Sequence, residues 1–157
     1  MFHRFQFEAA FYPTLERLPF HVRMKLDLTG IRVSLHTWQT FSMEERRALC
    51  HLPADTDEER EVFAAFLDAL VRARAGVAAE RCPVLDADAW SAAAVPEAAA
   101  ARSAAEGTGV TPAEWSRWAA HERYALYKTA LSKDPELFHQ ALQELRLRLC
   151  PSVSCPT

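Results

Sequence analysis

The sequence predicts an all-α fold, a small helical domain built from two related three-helix units. Three observations support this prediction. Apolar residues recur every three to four positions in two long segments, one sequence pattern occurs twice, and the four glycines (Gly30, Gly76, Gly107 and Gly109) fall where helical patterns end. An apolar period near 3.6 residues is typical of amphipathic helices. Glycine closes helices because it adopts the left-handed conformation without a steric penalty.

The composition is that of an ordinary globular chain. Half of the 157 residues are apolar and a quarter are charged, and a chain of this length buries roughly 70% of its unfolded surface. The formal net charge of −3 argues against a nucleic-acid binder, because phosphate neutralisation needs a basic surface. No apolar stretch is long enough to span a membrane, and the first residues do not have the pattern of a signal peptide. We therefore expect a cytoplasmic protein with no membrane and no nucleic-acid partner.

The N-terminal elements are predicted to be short. Phe5 and Phe7 alternate with polar residues over positions 4–8, which allows one short strand or an extended arm packed on the core. A short helix is expected from Pro19 to Thr29, just before Gly30.

The clearest helix is predicted over residues 57–75. Thr56 and Glu59 form a T-x-x-E capping box at its start, in which each residue satisfies a backbone N–H group of the first turn. An apolar stripe with helical spacing follows: Phe63, Phe66, Leu67, Leu70 and Val71. Gly76 ends the helix.

Residues 76–109 are predicted to connect two richer halves. The surrounding stretch 73–106 contains 15 alanines and two prolines, so it has few bulky side chains to bury. A further short helix is expected from Pro96 to Glu106.

A second long helix is predicted to begin at Asp134-Pro135 and to end before Pro151. Aspartate is a favourable N-cap residue, and proline is favoured at the first helical position. Residues 151–157 are predicted to form a flexible tail after a single helical domain over 1–150. Cys150 and Cys155 also allow a terminal disulfide or half of a metal site, but the mobile tail is the preferred interpretation.

An internal repeat relates residues 33–49 to residues 110–126 at an offset of 77. The identical pairs are Val33/Val110, Trp38/Trp115, Glu45/Glu122, Arg46/Arg123, Ala48/Ala125 and Leu49/Leu126. Ser34 and Thr111 are predicted N-caps, and Ser42 with Glu45 forms a capping box that restarts the helix. Each copy is followed by one of the two long helices, so 33–75 and 110–149 are predicted to be related three-helix halves.

The repeated tryptophan and Glu-Arg positions have two interpretations. Tryptophan and arginine are favoured as anchors in protein interfaces, which makes Trp38, Glu45 and Arg46 candidates for a partner surface. Alternatively, the tryptophan packs a helix corner while the Glu-Arg pair ties it to a neighbouring helix end. The repetition favours packing, because a duplicated chain is expected to duplicate its packing contacts.

A second candidate surface is the segment Arg23, Lys25 and Asp27, where charged and apolar residues alternate. This segment is suited to an acidic partner. The alternative, which we prefer, is a solvated helix face with an Arg23–Asp27 pair at i,i+4 spacing.

The motifs of nucleotide, hydrolase and zinc-protease chemistry are missing from the sequence, and we predict no catalytic residue and no cofactor. Glu136 and His139 form a Glu-x-x-His unit of the type found in di-iron proteins, but none of the other histidines follows a glutamate at this spacing. Cys50-His51 resembles an activated thiol, although adjacent helical residues point about 100° apart. A small metal-binding or redox protein using Glu136, His139 and the cysteines is therefore the alternative hypothesis.

Several short motifs occur together in this chain, most of them in its N-terminal half: Phe5-Gln6-Phe7-Glu8, Leu18-Pro19, Val22-Arg23-x-Lys25-Leu26-Asp27-x-x-Gly30-Ile31, Leu35-x-x-Trp38, Glu45-Arg46, Leu52-Pro53, Glu114-Trp115 and Arg123-Tyr124-Ala125-Leu126-x-Lys128. Together they resemble the conserved nitrate reductase-associated protein family. The resemblance covers roughly residues 5–130. Arg17 and Ala54 stand where cysteine is common in the family, so a thiol-dependent role is not expected for this chain.

This resemblance implies a bacterial, non-enzymatic accessory protein of the assimilatory molybdenum nitrate reductase. The implied partner is nitrate reductase or the machinery that loads its cofactor, and the implied process is nitrate assimilation. Together with the residue patterns, it makes Arg23, Lys25, Asp27, Trp38, Glu45 and Arg46 the candidate partner-binding residues. The sequence makes no prediction of oligomeric state.

Overall fold

The computed structural model describes residues 1–150, and these are predominantly helical. The α-helices are α1 (Phe20–Thr29), α2 (Leu35–Thr40), α3 (Met43–His51), α4 (Asp57–Ala75), α5 (Glu97–Ala105), α6 (Pro112–Arg117), α7 (Ala120–Leu131) and α8 (Pro135–Leu149). Two 3₁₀ helices, Gln6–Phe11 and Ala87–Trp90, accompany them. The predicted all-α fold is confirmed. Within residues 1–150, none of the helices has the length and apolarity needed to cross a membrane.

Unit 1 is a compact body formed by residues 1–4 and 8–89. Helices α1 and α2 both pack against α4. Strands β1 (Ile31–Arg32) and β2 (Glu80–Arg81) form an antiparallel pair in which Ile31 lies opposite Arg81. The buried core residues include Leu18, Val22, Leu26, Ile31, Trp38, Phe41, Leu49, Phe63, Leu67 and Val71. The apolar stripe predicted for α4 thus faces this core: Phe63, Leu67 and Val71 are buried, and the half-buried Phe66 and Leu70 pack against the same core.

Unit 2 is a second compact body, formed among the described residues by 5–7 and 90–150. Helix α7 packs against both α5 and α8, and α6 packs against α8. The buried face of α8 consists of Phe138, Ala141, Leu142 and Leu145. Residues 76–89 of the predicted connector belong to unit 1 and residues 90–109 belong to unit 2. A single domain over 1–150 stays a prediction, and the predicted tail with Cys155 lies outside the described residues.

The predicted long helices are confirmed together with their caps. The Thr56 side chain accepts a hydrogen bond from the Glu59 N–H, and the Glu59 carboxylate accepts one from the Thr56 N–H. At the start of α8, the Asp134 carboxylate accepts hydrogen bonds from the N–H groups of Glu136 and Leu137. The shorter helices predicted near 19–29 and 96–106 correspond to α1 and α5.

The strand considered for residues 4–8 is wrong, because Gln6–Phe11 forms a 3₁₀ helix. The N–H groups of Gln6 and Phe7 donate to the two carboxylate oxygens of Glu144, at 2.9 and 3.1 Å. These donors are therefore satisfied by a side chain rather than by a neighbouring strand. Phe5 and Phe7 stack on each other, with 5.1 Å between ring centroids.

The two copies of the repeat fold into the same helix corner. In each copy a six-residue helix ends at an extended residue: Phe41 has φ −70° and ψ 146°, and Trp118 has φ −73° and ψ 147°. The next residue caps the following helix, and the carboxylate of Glu45 or Glu122 accepts the N–H of that cap at 2.7 or 2.8 Å. The predicted pair of related three-helix units is confirmed.

Two glycines with the same conformation offer a matched test of packing. Gly30 and Gly76 both have positive φ, 65° and 71°. A Cβ atom on Gly30 would lie 2.8 Å from the Cys82 carbonyl oxygen, whereas one on Gly76 would meet nothing within 4 Å. We expect Gly76→Ala to cost about 1–2 kcal/mol, the penalty of the left-handed conformation. Gly30→Ala should cost about 1–3 kcal/mol more, because backbone at Cys82 must move. Urea unfolding measures both changes in the free energy of unfolding. Equal changes for the two variants would show that the 82–84 segment moves to admit the Cβ atom at no cost.

Candidate functional site

The candidate site in unit 1 is built around Trp38 on α2. This side chain is 1% exposed. Its ring lies edge-on to that of Phe41, with 6.1 Å between the two ring centroids. The indole Nε1–H donates a 2.7 Å hydrogen bond to the carbonyl oxygen of Leu15. A buried tryptophan needs such an acceptor, so Trp38 fixes the segment that precedes α1 against the α2–α3 corner.

Arg46 on α3 binds the same segment with its guanidinium group. Its Nη1 donates to the carbonyl oxygens of Thr14 and Leu15 at 3.1 and 3.3 Å. Its Nε and Nη2 donate to the carbonyl oxygens of Trp38 and Gln39 at 3.2 and 2.7 Å. One side chain thus satisfies carbonyl groups at the end of α2 and in the upstream segment, which uses the fork geometry of arginine.

Leu15, the shared acceptor, has an unusual backbone conformation. Its φ is 47°, in the left-handed region that costs a non-glycine residue roughly 1–3 kcal/mol. Its side chain is 3% exposed, and its carbonyl oxygen accepts from both Trp38 and Arg46. Core packing and two donors hold this segment in its strained form.

Glu45 joins the corner to the end of α4. Its carboxylate closes the capping box on Ser42 and pairs with Arg74, with 2.7 Å between Arg74 Nη2 and Glu45 Oε2. The hydrogen bond from Arg74 is the largest cause that lowers the pKa of Glu45. Glu45 therefore stays ionised, and it links α3 to the last turn of α4.

Lys25 on α1 is buried at the end of α3. Its side chain is 1% exposed, and its Nζ donates to the carbonyl oxygens of Leu49 and Cys50 at 3.0 and 2.8 Å and also to that of Leu52. The last carbonyl groups of a helix have no partner within the helix and carry partial negative charge. Burial lowers the pKa of Lys25 to about 8.

The two remaining predicted residues lie on α1. Arg23 is exposed, its Nε donates to the Leu18 carbonyl oxygen at 3.0 Å, and its guanidinium lies over the Phe20 ring. Asp27 is half-buried, and its backbone carbonyl oxygen accepts from the N–H of Leu85 at 2.9 Å. Of the three charged α1 candidates, Arg23 is the most accessible to a partner. Their predicted role in partner binding stays a prediction.

Unit 2 repeats these contacts with the second copy of the pattern. Trp115 Nε1 donates to the Ser91 carbonyl oxygen at 2.7 Å, and Arg123 Nε donates to the Trp90 carbonyl oxygen at 2.8 Å. Glu122 caps its helix and pairs with an arginine near the end of α8, with 2.9 Å between Glu122 Oε1 and Arg148 Nη1. The same three side chains thus perform the same tasks twice, which favours the packing interpretation of the Trp, Glu and Arg positions.

The residues of the alternative metal hypothesis bind other partners. His139 Nδ1 lies 3.0 Å from Glu106 Oε2, and the Glu136 carboxylate accepts from Gln140 Nε2 at 3.0 Å. Burial raises the pKa of the Cys50 thiol to about 12, and its side chain is 0% exposed. Across residues 1–150, no group of three or more histidine, cysteine, aspartate and glutamate side chains is placed to hold a metal ion.

Glu8 has a structural role that the helix and capping patterns of the sequence did not predict. It is 2% exposed, and its two carboxylate oxygens accept from the Phe20 N–H at 2.9 Å and the Tyr12 hydroxyl at 2.7 Å. It therefore caps α1 from twelve residues upstream, where Pro19, the N-cap residue, offers no side-chain acceptor. The signal is not local, since N-cap patterns look only at residues adjacent to the helix.

Comparison with known proteins agrees with the resemblance of the N-terminal half. The profile of the conserved nitrate reductase-associated protein family matches residues 4–145, which extends past residue 130 into α8. No curated protein and no solved structure matches the chain. The family match covers both copies of the helix corner and every candidate residue described above. The chain therefore belongs to the conserved nitrate reductase-associated protein family.

Proposed function

We propose that this protein is a non-enzymatic accessory factor that supports the maturation, assembly or activity of assimilatory molybdenum nitrate reductase through protein–protein contact. The observation that carries the proposal is the family match over residues 4–145, since the family is described by its association with nitrate reductase. The partner is nitrate reductase itself or its cofactor-loading machinery. Fold alone would not support this function, because one fold hosts many functions.

The contact surface proposed in unit 1 is centred on the exposed Arg23, and its half-buried candidates are Asp27, Glu45 and Arg46. Exposure of Arg23 supports direct contact with an acidic surface. Burial of Lys25 and Trp38 supports a positioning role, in which they hold α1 and the segment before it in place. Arginine is favoured at interfaces because its planar group binds carboxylates bidentately.

The physiological test is a deletion strain grown on nitrate as the only nitrogen source. The proposal expects slower growth and reduced nitrate reductase activity, and both should return when the intact gene is restored. Normal growth together with normal nitrate reductase activity would contradict the accessory role.

Arg23→Glu tests the proposed surface directly. We expect co-purification with nitrate reductase, or with its loading machinery, to fall by roughly tenfold or more, because a reversed charge meets a like charge on the partner. Arg117→Glu in unit 2 is the matched control. Arg117 is also exposed and also donates to a backbone carbonyl oxygen, that of Leu149 at 3.2 Å. Equal recovery of partner by the two variants would rule out Arg23 as a contact.

A further inference from the structure

Helix α4 presents apolar side chains to solvent along a side that borders the unit 1 core. Val62 is 58% exposed. Phe66 and Leu70 follow it at i+4 and i+8, and they are half-buried because they also pack against that core. Residues with this spacing lie on one side of a helix. Three exposed alanines lie between or beside them: Ala65, Ala69 and Ala73. We call these six residues the α4 face, and an exposed apolar surface of this kind is typical of an interaction site.

The two ends of the α4 face carry opposite charges. Glu58 and Glu61 are exposed near the start of α4. Arg72 lies near its end with a side chain that is 59% exposed, and its Nε donates to Asp68 at 2.7 Å. Glu61 and Arg72 are eleven positions apart, which is about 16 Å along a helix. They are therefore too far apart to pair with each other in the same chain.

We propose that a second copy of this chain covers the α4 face, with the two α4 helices packed antiparallel about a twofold axis. An axis near position 67 places Ala65 opposite Ala69 of the second copy and brings Glu61 next to Arg72 of the second copy. The symmetry forms this acidic–basic contact twice. Small residues at the crossing allow the helices to approach to about 8 Å.

The order of charges along the α4 face favours a second copy of this chain over a different partner. An acidic end, an apolar middle and a basic end are complementary to the same order reversed, which is what an antiparallel copy provides. A partner surface of one charge sign would meet like charge at Glu61 or at Arg72. Like charges that face each other across an interface weaken binding, so such a partner would be disfavoured.

Charge reversal at two positions tests the proposal on the full chain by sedimentation equilibrium. Glu61→Arg and Arg72→Glu should each weaken self-association by at least tenfold, since each creates two like-charge contacts. A mixture of these two single variants should associate as a heterodimer with an affinity near that of the wild type, because both contacts are again Arg–Glu. The double variant should recover in the same way. Because the two positions are about 16 Å apart within one chain, recovery reports on contact between copies.

Control variants separate this contact from changes in folding and from other surfaces. Val62→Glu should also weaken self-association, whereas Leu147→Lys should leave it unchanged, although Leu147 on α8 is 73% exposed. Far-UV circular dichroism checks that each variant keeps its helices. A wild-type chain that stays monomeric at high concentration, or single variants that do not recover on mixing, would overturn the proposal. If the chain is monomeric and Val62→Glu abolishes its co-purification with nitrate reductase, the α4 face would instead be a contact surface for that enzyme.

Discussion

Trp38→Ala is expected to lower the free energy of unfolding by about 3–5 kcal/mol. That is a large share of the roughly 5–15 kcal/mol that stabilises a typical domain. The side chain is 1% exposed and packs against Phe41, so its removal leaves a cavity. Leu15 also loses the 2.7 Å hydrogen bond that helps to hold its left-handed backbone. Urea unfolding followed by circular dichroism measures the loss.

Two further substitutions separate the cavity from the hydrogen bond. Trp38→Phe keeps most of the apolar volume but removes the indole donor, and it should cost about 1–3 kcal/mol. Trp115→Ala in unit 2 removes an equivalent side chain, which is 0% exposed and donates to Ser91 at 2.7 Å. Its loss should be of the same size as that of Trp38→Ala. If Trp38→Ala lowered the free energy of unfolding by less than about 1 kcal/mol, Trp38 would not be a packing residue. Such a result would favour the interpretation of Trp38 as part of a partner surface.

The helices and their caps were predictable from the sequence because their signals are local. Thr56 and Glu59, and Ser42 and Glu45, are three residues apart, and the structure pairs them as the capping-box pattern requires. The repeat added information beyond single helices. Since Trp38 and Trp115 occupy the same position in a duplicated pattern, the same corner was expected in both halves, and both corners form.

The candidate site was less predictable because its contacts join residues distant in sequence. The acceptors of Trp38 and Trp115 lie 23 and 24 positions upstream, at Leu15 and Ser91, and neither acceptor has a recognisable pattern. The burial of Lys25 was also not predictable from nearby residues. Lys25 alternates with apolar residues as a surface lysine does, yet the fold buries it, because the end of α3 supplies three carbonyl acceptors that α1 alone does not reveal.

Lys25→Ala is expected to cost about 3–5 kcal/mol, because it removes a buried charged partner and leaves carbonyl groups unsatisfied. The carbonyl oxygens of Leu49, Cys50 and Leu52 would lose their common donor. Lys25→Met fills most of the same volume without donating a hydrogen bond. It should therefore recover part of the loss but not all of it. Equal stability of Lys25→Met and the wild type at neutral pH would show that the carbonyl contacts contribute no net stability.

The pH dependence of stability distinguishes the charge of Lys25 from its volume. Burial lowers its pKa from 10.5 to about 8, so between these values the unfolded chain binds more protons than the folded one. Stability must then rise with pH in that window, by about 1 kcal/mol between about pH 7 and pH 9.

Cys50 changes stability in the opposite direction above about pH 9, because burial raises its pKa from 9.0 to about 12. The rise should therefore be measured below about pH 9, as the difference between the wild type and Lys25→Met. Parallel pH curves for the two proteins would show that the ammonium group pays no desolvation cost in the fold.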